Sequence, residues 1–156
     1  MTKHFINLDD IANDDLQQII DQAIALKKQH KAGEISNALK NKTLAMIFDK
    51  SSTRTRVSFE TGMTQLGGHA LFLSDKDIQL GRGEPITDSA VVISSMVDCI
   101  MLRVSSHADI NTFADYSSVP IINALSDKSH PCRKRNGNRW KQTKTMHSFQ
   151  NETFHQ

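Results

Sequence analysis

Leu44-Ala45-Met46-Ile47-Phe48 runs straight into Asp49-Lys50-Ser51-Ser52-Thr53-Arg54-Thr55-Arg56, and a segment carrying Val57, Phe59, Met63 and Leu66 follows before Gly67-Gly68. The first five residues are apolar without a break. A half-exposed strand alternates apolar and polar positions, so this short unbroken run suits an inner strand of a parallel sheet covered on both faces. The apolar spacing after it is helical. Strand, polar turn and helix in that order open a crossover unit.

The same grammar extends in both directions. Upstream, over 13–30, Leu16, Ile19, Ile20, Ala23, Leu26 and the stem of Lys27 recur three and four apart. This predicts an amphipathic helix, with Asn13 or Asp14 as its cap and Gly33 beyond its basic end. Downstream, the pattern predicts a strand over 69–73, a polar segment over 74–84, and a helix over 87–97 after Pro85. A third strand over 100–103, a short helix over 109–116 and a fourth strand over 119–123 follow. Strands roughly 20 to 30 residues apart leave room for crossover helices. The expected fold class is α/β, a parallel, doubly wound-like sheet that is incomplete at its C-terminal end.

The chain has 156 residues, 38% hydrophobic and 23% charged, which fits one globular domain and excludes fibrous and mucin-like classes. Its charge is uneven. Residues 1–132 carry 13 basic and 16 acidic side chains, net −3, whereas residues 133–156 carry six basic and one acidic, net +5. The basic character therefore belongs to a tail, and the body gives no footprint for specific nucleic-acid binding. In that tail only Trp140, Met146, Phe149 and Phe154 interrupt a polar run. Such a segment returns too little apolar burial to offset an ordering cost of about 1 to 2 kcal/mol per residue, and disorder is expected.

Cys99 and Cys132 lie in no CxxC pair and near no zinc-spaced cluster, which suits a reducing compartment. MTKHFINLDD turns acidic before an apolar run forms, and no stretch of 18 apolar residues exists, so neither a signal peptide nor a membrane span is expected. The expected location is cytoplasmic.

Chemistry concentrates at the Ser52 turn. Amides at a helix start lack intrahelical acceptors, and the helix dipole favours an anion there. Ser52, Thr53 and Thr55 add hydroxyl donors, and Arg54 and Arg56 add guanidinium forks suited to phosphate. The spacing and terminal Lys of the GxxxxGK[ST] loop are missing, which argues against a nucleoside triphosphatase. Two readings stand: a phosphate cradle, or a capped surface turn in which Arg56 simply pairs with Glu60.

The run Ser52-Thr53-Arg54-Thr55-Arg56-Val57-Ser58-Phe59-Glu60 resembles the carbamoyl-phosphate signature of the aspartate and ornithine carbamoyltransferases, with Val57 closer to the ornithine branch. Further collinear resemblance lies in Asp77-Ile78-Gln79-Leu80-Gly81-Arg82-Gly83-Glu84-Pro85-Ile86, in Phe113-Ala114 with Tyr116-Ser117, in Val119-Pro120-Ile121-Ile122-Asn123 and in His130-Pro131-Cys132. It covers residues 1–132, roughly the carbamoyl-phosphate domain of family chains a little over 300 residues long.

The resemblance implies one-step transfer of a carbamoyl group from carbamoyl phosphate to L-ornithine, with no metal or organic cofactor. It places Ser52, Thr53, Arg54 and Thr55 on the phosphate, Thr55 also near the carbamoyl oxygen, Arg103 on phosphate and carbonyl, and His130 towards the carbonyl oxygen. Gln79 would enter the site of a neighbouring subunit in a homotrimer. Ordinary roles compete: Arg103 could pair with Asp98 or Asp127, His130 could be a loop histidine, Gln79 a polar loop residue, and Cys132 is structural or incidental because no base is assigned to it.

Departures are concentrated late. Family chains continue from His-Pro-Cys into Gln and an apolar helix, whereas Arg133-Lys134-Arg135 and a polar tail stand here. Val91 replaces a usual basic residue, and Arg103-Val104-Ser105-Ser106-His107 departs from the common Arg-Thr-Phe continuation. No counterpart of the family's second, ornithine-binding domain is found. This pattern resembles a truncated or frameshifted copy, from which little or no turnover is expected.

Overall fold

The computed structural model describes residues 3–74, 78 and 85–133. Gln79, most of the polar segment around it, and the basic tail from residue 134 onward lie outside the described residues.

Four strands form one parallel sheet in the order β2-β1-β3-β4, where β1 is Thr43–Phe48, β2 His69–Ser74, β3 Cys99–Arg103 and β4 Ile121–Leu125. Among the described residues, four α-helices and two short 3-10 turns connect or flank them. These are α1 (Asn13–Lys31), α2 (Thr53–Gln65), α3 (Ile86–Ser94), α4 (His107–Tyr116) and, after β4, a short 3-10 turn at Pro131–Arg133. A further 3-10 turn, Leu8–Asp10, precedes α1.

The unbroken apolar character of β1 has the expected cause. Leu44, Met46 and Phe48 face one side, with Met63, Met101 and Ala124; Ala45 and Ile47 face the other, with Ala90, Ile100, Leu102, Ile110, Phe113 and Ile121. Helix α2 supplies Met63 to the first layer, and α3 and α4 supply Ala90, Ile110 and Phe113 to the second. Burial on both faces removes the need for polar alternation.

Where α2 ends, Gly67 takes φ +81° and Gly68 N donates to Met63 O at 2.8 Å, returning the chain to β2. A Cβ on Gly68 would stand 3.1 Å from both Leu39 O and Lys42 O, so the backbone is close on that side. At the other edge of the sheet the N-terminus adds a short parallel pairing: Phe5 bridges Ile122, Phe5 N donates to Ile121 O at 2.7 Å and Asn123 N donates to Phe5 O at 2.9 Å.

Several boundaries move. Asn13 is the first residue of α1 and Ala12 holds the cap position with no side-chain cap, so neither Asn13 nor Asp14 caps it. Helix α3 stops at Ser94 instead of 97, where Ser94 Oγ and Ser95 Oγ donate back to the Val91 and Val92 carbonyls. Helix α4 begins two residues early because Ser106 caps it, its Oγ accepting Asp109 N at 3.3 Å. Strand β4 runs two residues later than the apolar run suggests, since Pro120 has no amide to give a ladder.

Candidate functional site

All strands run in one direction, so the C-terminal ends of β1, β3 and β4 share one edge of the sheet, and the turns that leave them converge there. The turn after β1 leads into α2 through Ser52, in extended backbone at φ −150° and ψ 95°. Ser52 O accepts Arg56 N at 3.0 Å, the first bond of the helix, and the first turn contains no acidic side chain. The positive end of α2 is therefore open towards that edge.

Thr55 organises the site. Its Oγ1 accepts from Ser52 Oγ at 3.0 Å and from Arg103 Nη1 at 3.2 Å. Two acceptances occupy both lone pairs of the hydroxyl, so its own proton is left to donate elsewhere. Arg103 closes β3, pairs with Phe48 across β1, and stands where the register to β4 slips: Leu102 faces Asn123 but Arg103 faces Leu125. Such irregularities re-aim side chains at strand ends. Arg54 is exposed on the first turn of α2 and makes no side-chain bond among the described residues.

Arg56 does not join this group. Its Nε donates to Glu60 Oε1 at 2.9 Å and its guanidinium lies 3.9 Å from the centroid of the Phe72 ring, so the helix-surface pair is the correct reading for this residue. Thr53 is exposed at the first helical position. Asp98, one alternative partner for Arg103, is engaged at the opposite edge, accepting Lys42 Nζ and Thr43 N at 2.8 Å each. These bonds hold its carboxyl below the ordinary value.

His130 is half-buried on the loop that leaves β4 and folds back beside it. That loop is pinned by Ser126 N donating to Ser129 O at 2.9 Å and by Asn123 Nδ2 donating to Ser129 Oγ at 3.0 Å. Cys132, two residues beyond His130, is exposed as a residue, but its sulfur is covered and donates to Asn123 O at 3.6 Å. Burial pushes this thiol up to about 11, so it stays protonated at neutral pH and is a poor nucleophile. Among the described residues no group of three potential metal ligands occurs, and no helix is long and apolar enough to cross a membrane.

The sequence offered no sign of the framework behind these groups. Asp49 N donates to Arg103 O at 3.2 Å, and its carboxylate accepts Ser105 N. Asp127 N donates to Ser105 O at 3.0 Å, and Asp127 Oδ1 accepts His107 N at 2.9 Å. His107 is itself buried, with Nδ1 2.8 Å from Ser126 Oγ. The three turns of the edge are thus bonded to one another.

Residues 3–134 match the family described as aspartate/ornithine carbamoyltransferase, carbamoyl-P binding domain. The chain belongs to this family. An ornithine carbamoyltransferase from Ruthia magnifica subsp. Calyptogena magnifica is 80% identical over 133 residues, 85% of this chain and 44% of that protein. The solved ornithine carbamoyltransferase of Pyrococcus furiosus superposes with a TM-score of 0.83 at 44% identity, covering 97% of this chain and 46% of that one. The catalytic subunit of aspartate transcarbamoylase from M. jannaschii has the same fold, with a TM-score of 0.75 at 38% identity over 84% of this chain and 44% of its own. The chain spans a little under half the length of these relatives. The parallel α/β sheet and the family read from the Ser52 motif both stand.

Proposed function

We propose that this chain is the carbamoyl-phosphate half of an ornithine carbamoyltransferase, which moves a carbamoyl group from carbamoyl phosphate to the δ-amine of L-ornithine and yields L-citrulline and phosphate. The observation that carries this reading is the hydrogen-bonded run Ser52, Thr55, Arg103 at the open end of α2. The 80% identity to an ornithine carbamoyltransferase supports the ornithine branch over the aspartate branch.

In this reading the α2 amides, Ser52, Thr53 and Arg54 hold the phosphoryl oxygens, and Arg103 reaches phosphate and carbonyl together. Thr55 gives its remaining proton to the ligand. Attack by the neutral amine forms the C–N bond and pushes charge onto the carbonyl oxygen, where Thr55, Arg103 and His130 donate. The C–O bond to phosphate then breaks, phosphate leaves with the electron pair beside Arg54 and Arg103, and the departing phosphate takes up the proton that the amine loses. Gln79 completes the pocket of a neighbouring subunit in a homotrimer. The proposed division makes residues 1–132 the carbamoyl-phosphate domain and 133–156 an appendage outside it, in a cytoplasmic protein.

Holding both reactants in a near-attack geometry supplies much of the rate of such a transfer, and ornithine contacts are assigned to the length of the relatives beyond this chain. The 156-residue polypeptide alone is therefore expected to bind carbamoyl phosphate with little or no turnover. The test is citrulline formation by the purified chain with carbamoyl phosphate and ornithine. Turnover at the level of full-length relatives would contradict the half-site reading, and carbamoylation of aspartate without that of ornithine would overturn the branch.

A further inference from the structure

Asp49 is an acid where an anion site has no evident use for one. It precedes Ser52 by three residues, which places it within about 11 Å of the α2 opening along even a fully extended chain. The Debye length at physiological salt is about 8 Å, so the charge of Asp49 is only partly screened and opposes an incoming phosphate. What it does in the fold is specific. Its amide donates to Arg103 O at 3.2 Å while its carboxylate accepts Ser105 N, so a single residue grips the chain on both sides of Val104. Ser105 O is held in turn by Asp127 N at 3.0 Å. The strand end from which Arg103 projects is therefore fixed from β1 and from β4 at once.

We propose that Asp49 is a positioning residue for carbamoyl-phosphate binding, setting the direction in which Arg103 leaves β3 through its grip on the Arg103 and Ser105 backbone. The inference rests on the carbamoyl-phosphate reading above. It runs against simple electrostatics: a carboxylate that only repelled the ligand would, when removed, tighten binding. Two variants separate the effects. Asp49→Asn keeps an acceptor oxygen for Ser105 N and drops the charge; Asp49→Ala drops both.

Affinity of the 156-residue chain for carbamoyl phosphate is measured by calorimetry for the parent and both variants, and again for each in an Arg103→Ala background. Asp49→Ala should weaken binding by about three- to ten-fold, the size of one modest hydrogen bond, whereas Asp49→Asn should match or exceed the parent. In the Arg103→Ala background Asp49→Ala should cost nothing further. Should the alanine variant not fold, Asp49→Ser, too short to span the gap, gives the same comparison. Unchanged or tighter binding by Asp49→Ala, or an undiminished loss without Arg103, would overturn the positioning role. A folded parent chain that does not bind carbamoyl phosphate at all would instead overturn the reading on which it rests.

Discussion

Replacing Thr55 by Val removes one hydroxyl while keeping the shape of the side chain. In the structure that oxygen takes hydrogen bonds from Ser52 Oγ at 3.0 Å and from Arg103 Nη1 at 3.2 Å. A neutral hydrogen bond contributes about 0.5 to 1.5 kcal/mol net and one to a charged group about 1.5 to 3 kcal/mol. Ser52, Thr55 and Arg103 are all only half-buried, so water replaces part of what is lost. A loss of about 1 to 2 kcal/mol of stability is expected, visible as a fall in midpoint of roughly 3 to 8 °C. Binding should suffer more than folding. The variant loses the proton that Thr55 has left to give and the anchor that aims Arg103, a charge-assisted contact of about 1.5 to 3 kcal/mol, or about 10- to 150-fold in affinity for carbamoyl phosphate. Urea titration and calorimetry on the same preparations measure the two effects, and Thr55→Ser, which restores the hydroxyl, should recover most of both. A folded Thr55→Val chain that binds within about two-fold of the parent would refute the assignment of Thr55 as the organiser of the site.

Asn123→Ala should destabilise the chain by about 1 to 3 kcal/mol in urea unfolding, because the fully buried amide donates at 3.0 Å to both Ile6 O and Ser129 Oγ, and their acceptors are left without it. Leu102→Ala, one residue from the end of β3 and wholly buried, should cost about 2 to 5 kcal/mol by the same measurement. Burial pushes the Cys99 thiol up to about 11, so only roughly 0.1% is thiolate at pH 8 and its alkylation in the native chain should be far slower than in urea, as followed by mass spectrometry. The Lys42 and Thr43 bonds lower the Asp98 pKa, so the stability they bring is present above the unfolded value and lost as pH falls through the folded one; Asp98→Asn should flatten the acid limb of the stability curve below about pH 4.

The elements that could be read from the sequence were those with a period or a chemical signature. The β1 run announced an inner strand because both its faces are packed, and Gly33 announced the end of α1 because it takes φ +76°. The Ser52 motif pointed to the candidate site through donors crowded at one helix start. The start of α4 was placed two residues late at Asp109, because the Ser106 cap, whose Oγ takes Asp109 N, went unread. What escaped notice depends on contacts with backbone, which leave no trace in residue type. Asp49 reaches Ser105 N across 56 positions and Asn123 reaches Ile6 O across 117. Of the two readings open for Arg56, the pair with Glu60 is the one the structure takes, and only its contact with Phe72 had no sign in the sequence.

The most direct measurement of the central claim is an NMR titration of the 156-residue chain with carbamoyl phosphate, following the backbone amides and the Arg103 guanidinium. Saturable shifts should cluster at residues 52–56 and at Arg103, with smaller ones near His130, and should need about ten-fold or more ligand to saturate in Arg103→Ala. A folded chain whose amides at 52–56 do not respond, or one whose response is centred elsewhere and survives Arg103→Ala, would contradict the account.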